Sequence, residues 1–273
     1  MRPALAVPGH LFVRPLVQGL DRPDSPFTIA VDLPAKNALA FNERAGDLRC
    51  AFLSPIDYAR HGAEYCIVPG IGVSASAGCG IVRLLIKSNV RNIRSVAVDI
   101  RVTSEILLAK IILVEKYRNV PSQGKDLVFL PMLPDPDAML QKADAALIVS
   151  FEPAKSQPST PDVFVLDLVE EWVDLTDLPY VFGFWVGREE HLTTEEAKAL
   201  VSAKETGLRT RERVIHDLAI SSHHSLDAMS AYFASLSYDL GEREEEALAE
   251  FFHYAYFHGA LPDVPEVQYF DLG

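Results

Sequence analysis

The chain reads as an α/β protein of two domains with a helical tail, and three observations predict this. Short apolar, β-branched runs alternate with helical patterns through roughly the first 185 residues, which favours parallel sheets with helices on both faces. From Thr193 onward the pattern turns to helices only. Between these regions "LPYVFGFW" (178–185) is a run of apolar and small residues after a turn, which suits a strand buried on both faces. It stands where the chain would re-enter its first domain after completing the second, leaving an interdomain cleft. A buried core strand with no special topology is the plainer alternative.

The strands expected in order are 26–32, 49–54, 65–69, 81–87, 95–100, 127–130, 145–149 and 162–167. Helices are expected at about 35–45, 103–118 and 135–142. Ligand sites in such folds fall at the carboxyl ends of strands. The Gly-rich "GIGVSASAGCG" (70–80) has no phosphate-loop lysine and no strand–GxGxxG–helix context. It reads as a mobile cleft loop, with Ser74 and Ser76 as minor contact candidates. The Pro-rich "PAKSQPSTP" (153–161) reads as an exposed connection. In the tail, "TTEE" (193–196) looks like a capping box, and its helix should run towards "AISS". Ser225 begins another helix, and a third spans about 242–258.

A chain of 273 residues can build two modest domains. Its formal charge of −13 opposes a nucleic-acid surface, so any anion site must be made locally. No apolar run approaches the ~20 residues that span a bilayer, so no membrane insertion is expected. The start "MRPALAVPGH", broken by Pro3 and Pro8, is a poor secretory signal, and a cytoplasmic protein is expected. Cys50, Cys66 and Cys79 are odd in number and lack CxxC spacing, which suits reduced core thiols. The histidines of the tail, among them His253 and His258, have no H-E-x-x-H spacing. Neither metal nor cofactor is expected, and oligomeric state is written in none of these features.

The segment "LDLVEEWVDLTDLPYVFGFW" resembles the "DLG-x-x-W-x-x-x-T-G-L-P-F-V-F-A-x-W" signature of the futalosine-pathway menaquinone biosynthesis family, which includes chorismate dehydratase and a dihydroxynaphthoate synthase that cleaves cyclic futalosine. Agreement extends to "AGDLRCAFLSPIDYARHGAEYCIVPGIGV" (45–73), "VTSEILLAKIIL" (102–113), "MLQKADAALIV" (139–149) and "YFASLSYDLGEREEEALAEF" (232–251). The match spans nearly the full chain in the same order.

The resemblance implies a two-lobed fold like type II periplasmic binding proteins, with ligand held between the lobes and the C-terminal helices packed on lobe one. Lobe one would be about 1–88 plus 180–273, and lobe two about 89–179. The implied partner is a small, chorismate-like carboxylate. The implied activity is that of a hydro-lyase, removing water from chorismate to give 3-[(1-carboxyvinyl)oxy]benzoate. The alternative is a non-catalytic or re-specialised cytoplasmic binding protein for a small carboxylate. Cleavage of cyclic futalosine is a third reading, disfavoured by the better match to the dehydratase signature.

At four strand ends the sequence departs from the family. Phe12 stands where the family's "N-x-x-P-L" has Asn, and the Ser of "S-V-x-L" is replaced within Gly80–Ile81–Val82. Arg101 replaces the first Ser of "S-x-T-S", and "L-I-G-D-x-A-L" becomes "LIVSFEPA", with Val149 and Ser150.

The resemblance makes Thr103 and Ser104 substrate contacts, and their position opening a helix suits a carboxylate, which unpaired amides attract. Simple capping is the ordinary alternative. Arg14 and Arg101, near strand ends, each have a guanidinium able to grip a carboxylate bidentately, or to sit solvated at a surface turn. Ser54 either donates to a ligand or caps the helix that Pro55 opens. Ser150 completes the set of binding candidates, Asp57 and Tyr58 read as helix surface and packing, and no residue is assigned as catalytic.

Overall fold

The computed structural model describes residues 2–44, 46–118, 127–153 and 162–273, so the Pro-rich connection beyond Pro153 lies outside the described residues. The chain forms two compact units, Met1–Ser74 with Val181–Gly273, and Ala75–Tyr180. Residues 75–88, expected in the first lobe, belong to the second unit. The reason is strand pairing: 82–87 is hydrogen-bonded on both sides within the second sheet.

In chain order, the first unit begins with β1 (Ala4–Pro8), β2 (Thr28–Asp32), α1 (Pro34–Asn42), β3 (Leu48–Leu53), α2 (Pro55–Ala59) and β4 (Cys66–Ala75). The second unit holds β5 (Val82–Lys87), β6 (Ser95–Asp99), α3 (Ser104–Ile111), β7 (Val128–Met132), α4 (Pro136–Lys142), β8 (Ala145–Val149), β9 (Val163–Asp167) and α5 (Leu168–Thr176). The chain then returns through β10 (Tyr180–Gly187) to α6 (Thr194–Arg209), α7 (Arg211–Ser222), α8 (Leu226–Ala234) and α9 (Glu242–Phe257).

Among these, β1 was absent from the expected strands, because Pro3 and Pro8 framed its four apolar residues as a broken patch. The Gly-rich segment is strand up to Ala75, so β4 extends well past the expected 65–69. Ser74 is fully buried in it and donates to Glu244 Oε1 at 3.1 Å, which removes it from the contact candidates. The helix expected over 103–118 is α-helical to Ile111 and continues as a π-helical turn, Ile112–Lys116. The helix expected from Thr193 to "AISS" breaks into α6 and α7 at Thr210. Thr193 and Glu196 do form the reciprocal capping box.

Each sheet has five strands, ordered β2-β1-β3-β10-β4 and β7-β6-β8-β5-β9. The expected parallel arrangement holds only in part. β1 runs parallel to β2 and β3, and β6 to β7 and β8, but β10 is antiparallel to β3, and β5 to both β8 and β9. The apolar run at 178–185 explains its own burial. β10 lies inside the first sheet with every residue buried. Gly183 is needed there, because a Cβ would meet the Leu53 carbonyl and the Phe52 ring at 2.5 Å.

The two cores differ in material. The first is aromatic: Tyr58 packs edge-on to Phe184 at 5.5 Å, and Phe52 to Trp185 at 5.4 Å. The second has a buried aliphatic cluster that includes Leu85, Ala97, Met139, Leu140 and Ile148. Trp172 on α5 donates through Nε1 to the Pro179 carbonyl at 3.1 Å, tying that helix to the turn before β10.

Candidate functional site

In the second unit, parallel pairing sets the carboxyl ends of β6 and β8 side by side, and the antiparallel β5 begins at the same edge. Val82 faces Val149, and Arg83 faces both Ile148 and Asp167. One sheet edge therefore gathers Arg101, Thr103 and Ser104 after β6, Ser150 after β8, Arg83 on β5, and Asp167 at the end of β9. The N-termini of α3 and α5 open from that edge, which is where doubly wound sheets bind ligands.

Arg101 is held by a fully buried partner. Its Nε donates to both oxygens of Asp99, at 2.9 and 3.1 Å, and Nη2 donates to Oδ2 at 2.6 Å. Its backbone N–H reaches Asp99 Oδ1 at 3.0 Å, and the guanidinium stands 4.2 Å from the Phe151 ring centroid. This fork is already engaged with a carboxylate. Thr103 is the N-cap residue of α3 without a side-chain capping bond, and Ser104, the first helical residue, is fully buried. Ser150 Oγ accepts from Arg83 Nη2 at 3.4 Å.

Arg83 was not anticipated. Burial pulls its pKa down, Asp167 opposes that shift, and its Nε is buried with no hydrogen-bond partner among the described residues. The signal in the sequence was one arginine interrupting the apolar run "IVRLLIK". Asp167 was also missed. One of its oxygens accepts from the Val169 and Glu170 amides at the start of α5, at 3.0 and 3.4 Å. The other accepts from the Gly80 amide at 2.6 Å, anchoring the end of the Gly-rich segment to the same edge.

In the first unit, Ser54 follows β3 and works as a cap. Its Oγ accepts from the Asp57 amide at 3.4 Å and donates to Asp57 Oδ2 at 2.7 Å. Asp57, expected on the helix surface, is buried, with Arg60 at 3.7 Å on its other oxygen. Arg14 lies in a 3-10 helix, Leu11–Val17, after β1, and faces a cavity of about 450 Å³ beside Thr206, Thr210 and Arg213 on the tail helices. It is not joined to Ser54 in that cavity. Phe12 is buried in an aromatic group, stacked on His10 at 4.5 Å and 5.4 Å from Phe182. Hence the structure brings Arg101, Thr103, Ser104 and Ser150 to one edge of the second sheet, while Ser54 and Arg14 occupy separate places in the first unit.

Among the described residues no group of three or more His, Cys, Asp or Glu is placed to hold a metal, and no helix is long and apolar enough to cross a membrane.

A family model described as menaquinone biosynthesis matches residues 10–257, and the chain belongs to that family. Among solved structures, protein AF1704 from Archaeoglobus fulgidus is similar at a TM-score of 0.70 and 18% identity, over 94% of this chain and 98% of that one. The periplasmic aliphatic sulphonate binding protein SsuA from Escherichia coli follows at 0.63 and 15%, over 97% and 90% of the two chains. The Candida albicans CA3427 gene product, described as having the generic periplasmic binding protein fold, matches at 0.60 and 10%, over 96% and 92%. The fold is accordingly of the periplasmic-binding-protein kind.

Proposed function

We propose that this member of the menaquinone biosynthesis family is a hydro-lyase that removes water from chorismate to give 3-[(1-carboxyvinyl)oxy]benzoate. The observation that carries the reading is the carboxyl-end edge of the second sheet, where Arg83, Ser150 and the N-terminus of α3 meet in a protein of net charge −13, Arg101 being held there by Asp99. Helix-end amides and guanidinium groups attract a carboxylate locally where the overall charge repels it. Chorismate carries two carboxylates, and fixing one of them orients the ring.

The step is an elimination. A ring C–H bond and the ring C–O bond to the hydroxyl break, the C–H electron pair becomes the third ring double bond, and proton and hydroxide leave together as water. Aromatisation supplies much of the driving force, so the protein's work is orientation and exclusion of bulk water. In this reading a carboxylate of the substrate takes the ring proton and passes it on to the departing hydroxyl, which leaves as water. Thr103 orients that substrate at the helix end, where Ser104 is fully buried, and Ser150, backed by Arg83, donates to a second oxygen.

A second reading is favoured by Phe12, which puts an aromatic side chain in the buried core where the family has Asn. It is a binding protein for another small carboxylate, with the fold kept and the catalysis lost. Incubation of the purified protein with chorismate, followed by ultraviolet absorbance and mass, separates the two. Formation of the benzoate product supports the lyase. Thermal stabilisation by chorismate without turnover supports the binding protein, and absence of both responses overturns the lyase.

A further inference from the structure

Arg188 lies just past β10 at the edge of the first sheet opposite Ser54. Gly187 pairs with Cys50 in the amino-terminal half of β3, whereas Ser54 follows its carboxyl end. The side chain is 3% exposed, and among the described residues no carboxylate pairs with it. Its guanidinium sits 4.5 Å from the Phe41 ring centroid and 5.0 Å from that of Tyr65, and Nη2 donates to the Phe41 carbonyl at 2.8 Å. That carbonyl belongs to the last turn of α1, so a helix end and two ring faces offset part of the charge. They leave two donors unanswered. Among the described residues, Arg188 Nε and the Tyr65 hydroxyl, on a residue 1% exposed, are both buried without a partner. Burial pushes the Tyr65 phenol up, which keeps it protonated and able to donate.

Both residues line a cavity of about 460 Å³, together with Arg44, Ala63, Glu189 and Gln268. Its floor and rim have opposite character. Arg44, exposed at the rim, is already paired with Glu64 at 3.8 Å and Glu190 at 3.4 Å, and Glu189 is solvated beside them. The buried cation that lacks a carboxylate is the one on the floor.

We propose that this cavity binds a small monocarboxylate, with the anion on Arg188 and Tyr65 and a neutral or cationic outer end against Glu189 and Glu190. A guanidinium presents its donors in the geometry of a carboxylate, and a buried charge without a counterion is the costly state that such a ligand relieves. The acidic rim repels a second anionic group, so amino acids match the site better than dicarboxylates. The volume lies within the usual range for small-molecule sites. The site is distinct from the strand-end residues of the second unit and does not depend on the chorismate reading.

Titration of the full chain with glycine, acetate and succinate, read by calorimetry and thermal shift, tests this. Glycine binds and raises the melting temperature, acetate binds more weakly, and succinate does neither. Arg188→Lys keeps the charge but loses the fork, and weakens glycine binding by at least about tenfold. Ala63→Phe fills the cavity from an exposed position and abolishes the binding; it reports on the site even where the Arg188 variant fails to fold. The proposal is overturned if glycine has no effect, if Ala63→Phe binds it as well as the native chain, or if succinate binds as tightly. The chorismate assay on Ala63→Phe keeps the two sites apart, since its response there is unchanged.

Discussion

The corner after β3 and the corner after β6 look alike in sequence: an apolar strand, then a hydroxyl residue opening a helix. They differ in how their polar groups are used. At the first, Ser54 and Asp57 exchange hydrogen bonds, and Arg60 attends the other Asp57 oxygen, so the hydroxyl works as a cap. At the second, the capping position is occupied by Thr103 without a side-chain capping bond, and the charge is concentrated in the Asp99–Arg101 pair. A hydroxyl at a helix start is therefore poor evidence of ligand contact until its own cap is accounted for. The β9–α5 corner makes the same point, because Asp167 caps its helix and also holds Gly80.

Substitutions sharpen this contrast. Arg101→Ala leaves the fully buried Asp99 carboxylate without its counterion and should cost about 3 kcal/mol in urea unfolding. An unchanged midpoint would mean that Arg101 serves a ligand rather than the fold. Asp167→Ala removes the cap of α5 and the acceptor for Gly80, and should cost about 2 kcal/mol by the same measurement. Ser54→Ala should cost about 1 kcal/mol and leave chorismate binding or turnover as it was. A loss of more than about tenfold in either would reverse the comparison.

A further contrast concerns pH. Burial pushes the Cys79 thiol up to about 12 from its ordinary value near 9. The folded chain thus keeps a proton that the unfolded chain loses, so this contribution to stability is whole below pH 9 and fades towards pH 12. Cys66, pushed up to about 11 mainly by burial, adds a parallel loss in the first unit. Cys79→Ser should flatten the decline of the urea midpoint between those pH values without removing the share due to Cys66. A decline as steep as that of the native chain would show that Cys79 does not titrate differently in the two states.

Much of the scaffold was legible because local rules coincide with it. The β-branched runs at 81–87, 95–100 and 145–149 became strands almost residue for residue, and Thr193 with Glu196 formed the capping box their spacing predicts. The segment 178–185 was read correctly as buried, since nothing in it could face water. β1 was missed because two prolines bound a strand only five residues long, yet both sit at tolerated end positions around it. Of the candidate site, the residues after β6 and β8 were named through the segments that resemble the family's, and the structure sets them along one sheet edge. Arg83, Asp99 and Asp167 were not, because each is defined by a partner far along the chain or by burial.

The sequence by itself determined most of the elements, the family and the return of the chain, since periodicity, capping chemistry and motif order are properties of neighbouring residues. Tertiary structure alone decided that β5 belongs to the second sheet and that Asp99 already holds the Arg101 fork. It alone left Arg188 buried beside a cavity with no carboxylate partner among the described residues. These depend on strand register and on which side chains meet across the sheets, and hydrogen bonds and charge pairing act through space, where sequence distance carries no information.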